Sequence, residues 1–97
     1  MRAETRKIMS AFLRGERAKA KRTETDGNTV KLHGHTIAWR DESGSIWATM
    51  AGWPTTTRER LNGLTVLLGQ ANGFTQRNWN QFYSGEEISA YDKIKLR

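Results

Sequence analysis

Ile8, Met9, Phe12 and Leu13 fall at i, i+1, i+4 and i+5, a single stripe on a helix and no pattern for a strand. Glu4 stands in the first turn, Arg14 in the last and Gly15 supplies a stop, so the spacing predicts a helix over residues 3–14. Glu16 to Thr25 is polar and alternating and runs into Asp26-Gly27-Asn28, a turn signal, after which Thr29 to His33 reads as a strand. A two-residue turn at Gly34-His35 would pair His33 with Thr36, Leu32 with Ile37 and Val30 with Trp39. A four-residue turn over Asp41 to Gly44 would pair Trp39 with Ile46, Ile37 with Ala48 and His35 with Met50. Both registers gather Val30, Leu32, Ile37, Trp39, Ile46, Ala48 and Met50 on one inner face. A turn over Asp26 to Asn28 adds Ala18 and Ala20 to that face and sends Lys19, Lys21 and Thr23 outward.

Gly52-Trp53-Pro54 interrupts the alternation, and Thr56-Thr57-Arg58-Glu59 has the spacing of a capping box at the start of a second helix. Leu61, Leu64 and Leu68, with Thr65, form its buried stripe and Gly69 suits its C-cap, so it should cover the inner sheet face. Phe74 to Tyr83 fits a helical face through Trp79, Phe82 and Tyr83, and fits a strand through its aromatic and Gln/Asn alternation. Ser84-Gly85 then turns into Ile88, Ala90, Asp92, Ile94 and Leu96 at period two, and a second hairpin is the preferred reading. The expected fold class is α+β: an N-terminal helix, an antiparallel meander of three to four strands, a capped helix on one sheet face and a C-terminal β-hairpin. At 97 residues this is one domain, with residues 1–22 a basic helix and edge segment and residues 23–97 the body.

Charge sharpens that division. The chain has 16 Lys/Arg against 10 Asp/Glu, a net charge of +6. Residues 1–22 hold Arg2, Arg6, Lys7, Arg14, Arg17, Lys19, Lys21 and Arg22 against Glu4 and Glu16, and the body is neutral. Clustering of this kind makes a field and points to an anionic partner; the plainer alternative is an ordinary solvated face. With no cysteine, disulfides and thiolate zinc sites are excluded. No apolar run approaches the roughly 20 residues of a membrane span and no signal-peptide core is present, so a cytoplasmic protein without a membrane partner is expected.

Catalytic chemistry is sparse. His33 and His35 flank a turn glycine, but two histidines without cysteine fall short of a closed zinc site, and neither a nucleophile set nor a phosphate loop is visible. No enzyme activity, metal or cofactor is expected. The inferred registers place Lys19, Lys21, Lys31, Arg40 and Trp47 on the outer sheet face, where cations around an aromatic could hold a phosphate backbone and stack a base. The competing reading is that helix one covers this face and Trp47 is core. Arg58 and Arg60 lie near the N-terminal end of helix two, with Trp53 in the loop before it, suited to phosphate or simply paired with Glu59, Asp41 or Glu42. The candidate nucleic-acid-binding set is therefore Arg17, Lys19, Lys21, Arg22, Lys31, Arg40, Trp47, Arg58 and Arg60.

The stretch Leu32 to Leu64, LHGHTIAWRDESGSIWATMAGWPTTTRERLNGL, resembles a pattern found in small proteins of tailed bacteriophages and prophages. Its marks are a hydrophobic-His-Gly turn, Ile-Ala-Trp-Arg, a Gly-containing turn, Ala-Gly-Trp-x-Thr-x-Thr and Arg-Leu-Asn, with the flanks matching more loosely. The resemblance implies a phage origin, hence a bacterial host's cytoplasm, and an α+β fold; it carries no activity with it. Together with the charge it frames the expected function: a small phage accessory protein that binds DNA or RNA non-specifically through the basic N-terminal segment. The alternative is a host-takeover or anti-defence protein that modulates a host protein complex, with tryptophan as the anchor. A third possibility is an N-terminal arm ordered only on assembly.

Overall fold

The computed structural model describes residues 1–51, 54–70 and 73–97. Helix α1 (Ala3–Leu13) buries Thr5, Ile8, Met9, Ala11 and Phe12. It ends as its glycine predicts: Gly15 takes φ 72°, its N–H donates to the Phe12 carbonyl, and the Glu16 N–H reaches Ala11 at 2.8 Å, which satisfies the last turn's free carbonyls. Five strands follow: β1 (Ala18–Ala20), β2 (Thr23–Thr25), β3 (Thr29–Leu32), β4 (His35–Arg40) and β5 (Ile46–Ala48). Helix α2 (Pro54–Leu67), β6 (Phe74–Arg77), β7 (Asn80–Tyr83), β8 (Glu86–Ile88) and β9 (Ile94–Lys95) complete the chain. The fold is α+β, with an antiparallel sheet in the order β1-β2-β3-β4-β5-β9 and a second sheet β6-β7-β8. The loop position read for Trp53 lies outside the described residues.

The strands form where the alternation placed them, but β4 sits in a different register. The β3–β4 turn is His33-Gly34, with φ 52° and 81°, the geometry a two-residue hairpin needs at both positions and one that favours glycine second. Leu32 therefore faces His35 and Lys31 faces Thr36, and after a bulge Val30 faces Ala38 and Thr29 faces Trp39. Ile37 and Ala38 both turn inward, each fully buried, because the extra residue resets the alternation. Beyond it Trp39 pairs with Trp47 and Arg40 with Ile46. Trp39 thus lies on the face opposite Ile46, correcting the expected inner-face position and both expected registers. At the other edge, Lys21 at φ 55° turns β1 into its own hairpin with β2, pairing Ala20 with Thr23. Thr23 consequently faces the core, fully buried, rather than outward as expected, while Ala18 and Ala20 pack against the core.

Both helices lie on the inner face, α1 over β1, β2 and β3 and α2 beside it over β4. Ile8, Met9 and Phe12 meet Val30, Leu32, Ile37, Ile46, Met50, Leu61 and Leu64 in one apolar cluster. Helix α2 begins at Pro54, where a missing N–H costs nothing, two residues before the expected capping box. Glu59 turns away from the helix start, accepting a 2.7 Å bond from the Thr5 hydroxyl. Gly69 closes the helix at φ 76°, with Gln70 N–H reaching the Thr65 carbonyl at 3.0 Å. The segment 74–83 is itself a hairpin, turning at Asn78-Trp79, and the Ser84-Gly85 turn then leads into β8 as expected. The period-two stretch after it splits: β8 stays in the small sheet, whereas β9 pairs with β5 in the large one. Asn62 clasps the Phe74 backbone through both amide atoms, at 2.8 and 2.6 Å, docking the small sheet on α2.

Candidate nucleic-acid interface

Among the described residues no helix lies on the large sheet's outer face, and α1 packs into the inner-face cluster, so the competing reading in which α1 covers the outer face does not hold. Two cross-strand rows of side chains compose it. One runs Lys19, Glu24, Lys31, Thr36 across β1 to β4; the other runs Thr29, Trp39, Trp47, Lys95 across β3, β4, β5 and β9. The three lysines are exposed and the two indoles half-buried. The indole planes lie 9° from parallel with ring centroids 6.5 Å apart, an offset stack.

Trp47 is fixed in place by a loop built to hold it. Its Nε1–H donates to Asp41 Oδ2 at 2.8 Å, while Asp41 Oδ1 accepts from the Ser43 and Ser45 backbone N–H groups, each at 2.9 Å, and from the Ser43 hydroxyl at 2.7 Å. The Ser43 hydroxyl, then the indole N–H, hold the Asp41 carboxyl down to about 2. The carboxylate is thereby ionised at any ordinary pH and keeps the indole N–H occupied.

The basic segment borders this face. All eight cations of residues 1–22 are exposed. Of its two acids, Glu4 turns inward to Arg60 at 3.1 Å and Glu16 pairs with Arg14 at 2.8 Å. Lys7 Nζ donates to the Lys19 carbonyl at 3.2 Å, bringing this cation of α1 beside edge strand β1. Arg17, Lys19 and Lys31 share the rim of a depression of about 440 Å³ with Glu24 and Asp26; its mixed charge makes it no anion pocket by itself.

Five of the expected residues lie elsewhere. Lys21 occupies the β1–β2 turn with Arg22, exposed but off the sheet face. Arg40 follows the bulge to the inner side, its guanidinium 4.7 Å over the Phe12 ring and donating to the Gly27 and Phe12 carbonyls at 2.8 and 3.0 Å. Arg58 ties α2 to the small sheet, reaching Gln76 Oε1 at 2.8 Å and Gln81 Oε1 at 3.3 Å. Arg60 is only 4% exposed; it bonds Thr23 and Thr5 at 3.0 and 2.9 Å and pairs with Glu4 and Glu59. Glu59 is thus one of its expected partners, but the pair lies in the core and includes Glu4, where an ordinary surface charge is the plainer expectation. Trp39 and Lys95 are the residues the sequence reading left off this face. A bulge writes no local signal, and the β5–β9 pairing joins strands almost fifty residues apart.

Fold and face together define a small α+β protein with two helices on one side of a mixed-length antiparallel sheet and a lysine-rimmed aromatic pair on the other. A family model described as Kyanoviridae Gp96 protein matches residues 1–95, and the chain belongs to that family of phage proteins. No curated protein and no solved structure is significantly similar to it. No helix among the described residues is long and apolar enough to cross a membrane.

Proposed function

We propose that this phage protein binds nucleic acid, with little base specificity, through the cations of its N-terminal segment and the adjoining sheet face. The observation that carries the reading is the asymmetry of residues 1–22: every cation faces solvent, while Glu4 is half-buried and turned inward to pair with Arg60. The outward field of the segment is therefore more positive than its composition implies, which suits a polyanion. Arg17, Lys19, Lys21 and Arg22 lie within one hairpin and form its densest part. Replacing all four with alanine is expected to weaken binding equally across sequences and to lower the salt slope by roughly 0.7–0.9 for each phosphate that is no longer neutralised. Titrating labelled oligonucleotides over a salt series checks this; absence of binding by the intact protein at low salt would refute it.

A second reading has its own observation. Trp79 is 89% exposed and sits at φ 68° in the Asn78-Trp79 turn, a strained position for a bulky residue. An indole held out this way suits the anchor of a protein contact, as a host-directed modulator would need. This reading takes over if oligonucleotide binding fails.

A further inference from the structure

We infer that the outer sheet face takes single-stranded nucleic acid, with bases stacked on the Trp39–Trp47 pair and phosphates along Lys19, Lys31 and Lys95. The inference rests on the nucleic-acid reading above and narrows it to a substrate class.

The bulge is the first argument. An unbroken β4 would put Trp39 inside with Ile37; the extra residue fills the inner position with Ala38 and delivers Trp39 to the open face. Packing alone does not call for this, since an indole gains more from burial than the alanine that replaces it. Bulges commonly re-aim a side chain beside a functional site. Here the re-aimed ring lands next to the Trp47 indole, its plane nearly parallel to it.

The chemistry of the face selects the occupant. Lys31 lies two residues along β3 from Thr29, the cross-strand partner of Trp39, and Lys95 is the direct partner of Trp47. Cations therefore stand on either side of the aromatic pair at the spacing of neighbouring sheet positions, about 5–8 Å. Because Asp41 occupies the Trp47 N–H, that indole offers no donor for reading a base edge; its contribution is ring surface, which every base can use. A duplex keeps its bases stacked within the helix and would present only phosphates, leaving the indoles unused. Unpaired bases can be splayed onto sheet aromatics, the mode by which β-sheets hold single strands. Glu24 sits between Lys19 and Lys31 in the same row and, like the ionised Asp41 beside Trp47, is an acid that opposes binding here.

The test compares a labelled oligothymidylate with a labelled duplex hairpin of similar length, by fluorescence anisotropy at one low salt concentration. The wild-type protein should bind the single strand more tightly. Trp47→Ala and Trp39→Ala should each weaken single-strand binding by roughly 5- to 150-fold, the stacking of one base, and leave duplex binding unchanged. If either indole variant unfolds, Lys31→Glu and Lys95→Glu should weaken single-strand binding, while Glu24→Gln should tighten it, a gain that damage to the fold cannot imitate. Equal affinity for both ligands, with the lysine and Glu24 variants unchanged on the single strand, would overturn the inference and leave electrostatic binding by the N-terminal segment standing. Failure of the wild-type protein to bind either ligand would remove both, and tight binding of the duplex alone would likewise overturn the inference.

Discussion

Arg60 is held inside the core by Thr5, Thr23, Glu4 and Glu59, which converge on it from α1, β2 and α2. Burial opposes ionisation of Glu59, but the Thr5 hydroxyl, the Arg60 guanidinium and the Arg2 backbone N–H outweigh it and hold the carboxyl below its ordinary value. A depressed carboxyl contributes stability that is complete above its unfolded-state value, near 4.5, and is lost as pH falls through the lower folded-state value. Arg60→Met should cost about 3 kcal/mol, at the low end for a broken buried pair, because Glu4 and Glu59 retain contact with water. It should also flatten the loss of stability on acidification that the native protein shows below about pH 4.5. Urea unfolding at several pH values checks both; an Arg60→Met variant as stable as the native protein would mean the cluster is incidental. The sequence displayed one strand of this arrangement, the neighbouring Glu59 and Arg60. It could not display that Glu4, more than fifty residues away, belongs to the same cluster.

At the scale of elements, α1 and α2 touch through a glycine. A Cβ on Gly63 would stand 2.3 Å from Thr5 Cγ2, and Thr5 cannot step aside, since its hydroxyl bonds both Glu59 and Arg60. Gly63→Ala gains up to about 1 kcal/mol in helix propensity and loses about 1–3 kcal/mol to overpacking. The second effect is the larger, so a lower melting temperature is expected; a rise would show that the helices can separate without cost. Both helices and their stops were legible, through the apolar stripe of Ile8, Met9 and Phe12 and through Gly15 and Gly69. The strands were legible as segments and their registers were not. Moving the β3–β4 turn by one residue, from Gly34-His35 to His33-Gly34, and adding one bulge suffices to exchange Trp39 for Ala38 on the inner face. Period-two patterning tolerates either choice at that point, because Ile37, Ala38 and Trp39 are all acceptable in a core.

Over the whole molecule, the two sides of the large sheet do different work. The inner side gathers the apolar cluster, both helices and the buried Arg60, and it absorbs Glu4 and Arg40 as well. The outer side is left with lysines and two indoles, and the β1 edge beside it with the solvent-facing Arg17, Lys21 and Arg22. The candidate site was half legible for this reason. Charge clustering showed in the sequence for Arg17, Lys19, Lys21 and Arg22, and strand alternation for Lys31, whereas the fates of Arg40, Arg58 and Arg60 depended on partners that only folding brings near. The most direct test is an amide and indole ¹H–¹⁵N spectrum of the protein titrated with oligothymidylate. The indole N–H signals of Trp39 and Trp47 and the amides of Lys19, Lys31 and Lys95 should shift together with one affinity while Trp79 stays in place. Shifts confined to Trp79 and the small sheet, or none at all, would contradict the assignment of this face.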